Sequence, residues 1–206
     1  MEASAPEAEA VFGVPVTSVV ADGFCVPYPV ELVVDKKNLG FFDSSYEALD
    51  INGNLFLQVK GTYQNLQKKR VIRDASGFPL LTMCEKVVTS KHRWIVYRGE
   101  RPEGKEVLFR VQRSHSFQIM KSKHQVFLTS NVNEDIPDFQ AIESKPFESY
   151  KIYKGQSIIS EVDYNFTWGS FWKGKRNFKV KIYPGVDYAF IVALVVILND
   201  NDFACV

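Results

Sequence analysis

Close to its C-terminus the chain carries eleven consecutive apolar residues, 188–198, reading YAFIVALVVIL, and no other stretch is comparably apolar. As a helix, eleven residues extend about 17 Å, well short of the ~30 Å hydrocarbon layer of a bilayer. A segment that is apolar on every face and too short to span lipid has to be surrounded by protein. The fold is therefore expected to wrap around its own C-terminal element. Pro184-Gly185 ends whatever precedes the run, and Asp187 stands where an N-cap or first-turn carboxylate favours a helix. β-Branched Ile191, Val192, Val195, Val196 and Ile197 pull towards a strand. Length decides for a helix, at about residues 186–199.

What surrounds it reads as β structure. From residue 30 to 183 the sequence consists of short β-branched and aromatic runs punctuated by Gly, Asn, Asp and Pro, the spacing of an all-β sandwich or barrel. Strands are expected at 30–35, 40–49, 55–60, 70–73, 80–86, 93–98, 107–112, 117–121, 125–128, 139–143, 151–153, 157–164 and 178–183, about a dozen in all. Asp50-Ile51-Asn52-Gly53 and Asp74-Ala75-Ser76-Gly77 resemble one another as turns, each with an Asp ahead of a Gly that tolerates positive φ. An eight-stranded barrel is filled by its own side chains, whereas a helix needs a lumen more than ~10 Å wide. About twelve strands suffice to enclose one. Residues 1–20, rich in Ala, Glu, Pro and Val without a period, are expected to form a disordered tail, and 21–206 a single barrel domain.

Charge gives no global steer, since 25 basic and 24 acidic residues leave a net +1. Nucleic acid is disfavoured as a partner, and any charged ligand must meet a local patch. Glu2, Glu7 and Glu9 precede the first basic residue, Lys36, a pattern unlike secretory or mitochondrial leaders; the expectation is a cytoplasmic location, with a peripheral membrane or nuclear site as alternatives. Cys25, Cys84 and Cys205 are too few and too scattered for a disulfide framework or a zinc site. His92, His115 and His124 are isolated, and no HExxH, GxSxG or phosphate-binding glycine loop is present. No catalytic residue, cofactor or metal is therefore assigned. Asn199-Asp200-Asn201-Asp202 lacks the Gly and Glu of a calcium loop and reads as a polar stop to the apolar run.

Cys25-Val26-Pro27-Tyr28-Pro29, Asn52-Gly53-Asn54-Leu55, His92-Arg93-Trp94 and Tyr183-Pro184-Gly185-Val186-Asp187-Tyr188-Ala189-Phe190, in that order and spacing, resemble the plant LURP-one-related family. The resemblance extends from about residue 20 to 202. It implies a tubby-like fold, a twelve-stranded barrel closed around a hydrophobic C-terminal helix, shared with tubby proteins and, by proposed kinship, with phospholipid scramblases. It also implies a non-enzymatic regulatory role linked to pathogen defence, and for tubby proteins the binding of phosphoinositides by basic side chains.

Four basic segments are candidates for such a contact: 68–70, 91–93, 121–124 and 173–176. Strand-end charges that keep edges and turns hydrated are the commoner explanation for any one of them. Lys173, Lys175 and Arg176 lead, because Trp168 and Trp172 precede them and rings beside cations suit a membrane interface. Lys68, Lys69 and Arg70 come next. The partner implied is an anionic membrane lipid or a protein. Competing readings are a β-barrel carrier or enzyme with an unrecognised pocket, and a scramblase-like membrane-associated protein.

Overall fold

A computed structural model describes residues 15–38, 44–64, 67–88, 91–100, 104, 106–114, 123–144, 149–164 and 176–201. Its strands are β1 (Val30–Asn38), β2 (Ser44–Asp50), β3 (Leu55–Gln64), β4 (Gln67–Asp74), β5 (Pro79–Val88), β6 (Lys91–Arg98), β7 (Val107–Ser114), β8 (Lys123–Leu128), β9 (Phe139–Ser144), β10 (Ser149–Lys154), β11 (Ser157–Tyr164) and β12 (Arg176–Ile182). Each pairs antiparallel with its neighbours in sequence, and β1 closes on β12 from Val30↔Ile182 to Lys36↔Arg176. The result is a closed up-and-down barrel, mainly β, with one C-terminal helix. The expected run at 117–121 lies outside the described residues; every other expected run overlaps one of these strands.

The two similar turns are built alike. In each, the Asp backbone N–H donates across the tip, Asp50 to Asn54 O (2.9 Å) and Asp74 to Phe78 O (3.0 Å). Each Asp side chain accepts the amide four residues on, from Asn54 (2.7 Å) and Phe78 (2.8 Å). Gly53 and Gly77 take φ of 85° and 90°, a region that only glycine occupies cheaply. A register shift follows in both hairpins, at Ala48/Leu49 and at Ile72/Arg73.

Helix α1 (Tyr188–Asn201) runs through the barrel, and residues 189–200 are all buried. The strands supply the other half of the core on a two-residue period: Leu32 and Val34, Leu57 and Val59, Trp94 and Val96, Val180 and Ile182 all point inward. Phe190 stands edge-on to Phe109 at 5.1 Å and tilted against Phe139 at 4.8 Å, so it ties the helix to β7 and β9. Among the described residues no helix is long and apolar enough to cross a membrane.

Residues 17–20 differ from the expected free tail. Thr17 bridges Val186 and Cys25 bridges Asp187, the Thr17 N–H donates to Gly185 O (2.8 Å), and Val20 is buried. The segment 17–26 is a strap laid across the end of the barrel where α1 enters. Composition hid it, because its hydrogen bonds go to residues some 170 positions away in sequence.

Candidate functional site

The two ends of α1 are polar, and they are satisfied differently. At its start Asp187 is the N-cap: Oδ1 accepts the Phe190 N–H (3.0 Å), as the Asp187 position in the sequence suggests. Its Oδ2 accepts three consecutive strap amides, from Val19 (3.1 Å), Val20 (2.6 Å) and Ala21 (3.2 Å). One carboxylate thereby caps the helix and fastens the strap. Burial pushes the Asp187 carboxyl above the ordinary aspartate range, against these amides, which favour its charge.

At the other end the last helical carbonyls need donors from outside the helix. Lys68 Nζ donates to Asp200 O (3.2 Å). Asp200 also receives Arg70 Nε at Oδ2 (3.0 Å) and the Tyr46 hydroxyl at Oδ1 (2.9 Å), with Lys36 Nζ at 4.0 Å. Asn199 Nδ2 donates to the Tyr46 hydroxyl (2.6 Å), and Lys68 reaches Glu85 at 3.7 Å. Cations at a helix C-terminus are favourable to its dipole, so this mouth closes the helix as well as lining the barrel. Burial, and then the Asp200 carboxylate, pushes the Tyr46 phenol well above its ordinary range. Further round the wall His124 is fully buried, its ring 6.4 Å from that of Tyr150.

Arg70 and Lys68 therefore face inward, not outward. Arg70 is 2% exposed and committed to Asp200, which takes it out of reach of a flat external surface. The period-two pattern Lys68, Arg70, Ile72 already carries this information, since Ile72 belongs to the core. Lys69 lies on the opposite, outer face of β4 and is half-buried. Trp168, Trp172, Lys173 and Lys175 lie outside the described residues, and Arg176 is the first residue of β12. Asn199 and Asp200 are more than a polar stop, being buried anchors of the mouth.

Chain direction brings to one rim the strand starts that carry or adjoin the four basic segments. In an up-and-down barrel every even-numbered strand runs the same way, so β4, β6, β8 and β12 all start at one rim. Those starts are Gln67, Lys91, Lys123 and Arg176, each at or beside one of the four basic segments. Lys36 and Lys37 near the end of β1 and Lys86 near the end of β5 reach the same rim, the one around the C-terminal end of α1. The lumen that a small-molecule carrier would use is occupied by α1 itself.

The family model described as LURP-one-related matches residues 30–200, which is the barrel together with its helix. The chain belongs to the LURP-one-related family. Among curated relatives from Arabidopsis thaliana, Protein LURP-one-related 14 is 43% identical over 94% of this chain and 95% of its own length. Protein LURP-one-related 10 is 39% identical (89% and 95%), and Protein LURP1 is 36% identical (90% and 90%). A solved X-ray structure of a protein from Arabidopsis thaliana superposes with a TM-score of 0.68 at 34% identity, covering 90% of this chain and 98% of the other. The barrel with its internal helix is thus an architecture that this chain shares with that solved structure.

Proposed function

We propose that this LURP-one-related barrel is a non-enzymatic binding module that takes the phosphate-bearing headgroups of anionic membrane lipids at the rim around the C-terminal end of α1. One observation carries the reading: the strands that start at or beside the four basic segments, dispersed over more than a hundred residues of sequence, all start at a single rim. Each basic side chain near an anionic surface contributes about 1 kcal/mol, so convergence matters more than any one cluster. Lys37, Lys69, Lys86 and Lys123 are among the outward-facing described residues of that rim, and Lys173, Lys175 and Arg176, with Trp168 and Trp172 before them, are the contacts proposed from sequence. Lys68 and Arg70 support the rim from inside by holding the helix end. The setting is regulatory, tied to plant defence, with a tubby-like lipid interaction as the mechanism and the cytoplasmic face of a membrane as its place.

Sedimentation with phosphatidylcholine vesicles, with and without phosphoinositide, tests this. The full chain is expected to pellet with phosphoinositide vesicles at low salt and to be released at high salt. Lys69→Glu/Lys86→Glu and Lys173→Glu/Lys175→Glu are each expected to shift it to the supernatant. Equal recovery in the supernatant with both vesicle types at low salt overturns the lipid reading.

A further inference from the structure

The opposite end of the barrel has the reverse character. Three half-buried rings, Phe24, Phe56 and Tyr188, form an aromatic floor beside the start of α1: Tyr188 stands edge-on to Phe24 at 5.2 Å and to Phe56 at 5.6 Å. Around it Tyr28, Ile51 and Phe78 are left 60%, 74% and 66% exposed. Ile51 and Phe78 sit on the β2–β3 and β4–β5 tips, neighbours on this rim because β3 pairs with β4. Tyr28 lies just before the start of β1, which pairs with β2, so it enters the barrel at the same rim as these two tips. Large apolar side chains gathered on a surface mark an interaction site more often than scattered ones do.

The charges at its edge select the occupant. Asp50 and Asp74 belong to those two turns, where their carboxylates accept turn amides, and Asp22 opens the short turn Asp22–Phe24 that carries Phe24; no ion pair joins any of the three to a cation among the described residues. The neighbouring cations are already committed, Arg73 to Glu100 and Arg98 to Glu106. An apolar floor edged by carboxylates repels an anionic bilayer and complements a segment with an apolar anchor flanked by Lys or Arg.

We infer that this face docks a protein partner through a basic, apolar-anchored peptide segment, at the end of the molecule opposite the lipid-directed rim. The inference does not depend on the lipid reading, because it uses different residues and a ligand of opposite charge. The two together describe an adaptor that holds a basic protein segment at one end and an anionic surface at the other.

Selection of a random phage-displayed peptide library on the full chain tests it, with binding of the enriched peptides measured by fluorescence anisotropy. The expected consensus is an aromatic or aliphatic anchor flanked by at least two Lys or Arg. Ile51→Ser/Phe78→Ser is expected to weaken binding about tenfold or more, and Asp22→Asn to weaken it less and to blunt its salt dependence. These side chains are exposed, so the melting temperature should stay at the parent value; Phe78→Ser alone serves if the double variant melts early. Absence of enrichment, an acidic or charge-indifferent consensus, or equal binding by the double variant overturns the proposal. So does a doubled mass in light scattering, or pelleting with phosphatidylcholine vesicles, that disappears in Ile51→Ser/Phe78→Ser. The first would assign the face to a second copy of the chain and the second to a membrane.

Discussion

Asp200 and Arg70 show how much a single buried pair can decide. Both are almost fully enclosed, and their hydrogen bond at 3.0 Å joins the last turn of α1 to β4. Removing one partner of such a pair leaves the other charge desolvated, which costs about 3–5 kcal/mol, whereas replacing both by apolar groups is often near neutral. Arg70→Met is therefore expected to lower the urea midpoint strongly, and Arg70→Met/Asp200→Leu to recover much of the loss. The paired aspartates of the two turns govern the acid side. Hydrogen bonds, chiefly from Asn54 to Asp50 and from Ser76 to Asp74, hold both carboxyls below the ordinary aspartate range. The unfolded chain thus binds more protons than the folded one below about pH 4, and stability falls as pH falls through that window. Asp187 acts with the opposite sign: burial raises it, so its share is present in acid and declines as pH climbs above the ordinary aspartate value. The urea midpoint of Asp50→Asn/Asp74→Asn is expected to drop less than that of the parent between about pH 6 and about pH 3.

Among the elements, the strap and the helix are mutually dependent. Three amides of the strap have Asp187 Oδ2 as their acceptor, and Arg98 donates to Val20 O (2.8 Å), so the strap is held from the helix and from β6. Deleting residues 1–21 withdraws three donors from a buried carboxylate, each worth about 1–3 kcal/mol when left unmade. A marked fall in melting temperature, relieved in part by adding Asp187→Asn to the same deletion, is the expected result; an unchanged melting curve would show the strap to be ornamental. The turns at Gly53 and Gly77 were legible in sequence because their chemistry is local. The strap was not, because nothing within 17–21 signals a partner at residue 187. The inward face of β4 falls between: the alternation of Lys68, Arg70 and Ile72 was present in the sequence, but charge suggested the outside and burial reversed it.

At the scale of the whole molecule, β1 meets β12 and the barrel closes around the last element of the chain. Phe190, Ile191, Val192, Leu194 and the residues after them fill a lumen that strand side chains alone would leave open. Deleting residues 186–206 is therefore expected to abolish folding; a soluble truncation that melts cooperatively would refute this. Length and uniform apolarity of residues 188–198 were enough to place that segment inside protein; the short apolar runs by themselves fit a sandwich or a barrel, and it was the helix needing enclosure, with the family resemblance, that pointed to a barrel of about twelve strands. Those patterns repeat within a few residues, which is why sequence carries them. The polar mouth, the strap on Asp187, the basic rim and the aromatic floor join residues up to 170 positions apart. Their convergence is set by barrel closure and strand direction, quantities that belong to the folded chain as a whole and to no segment of it.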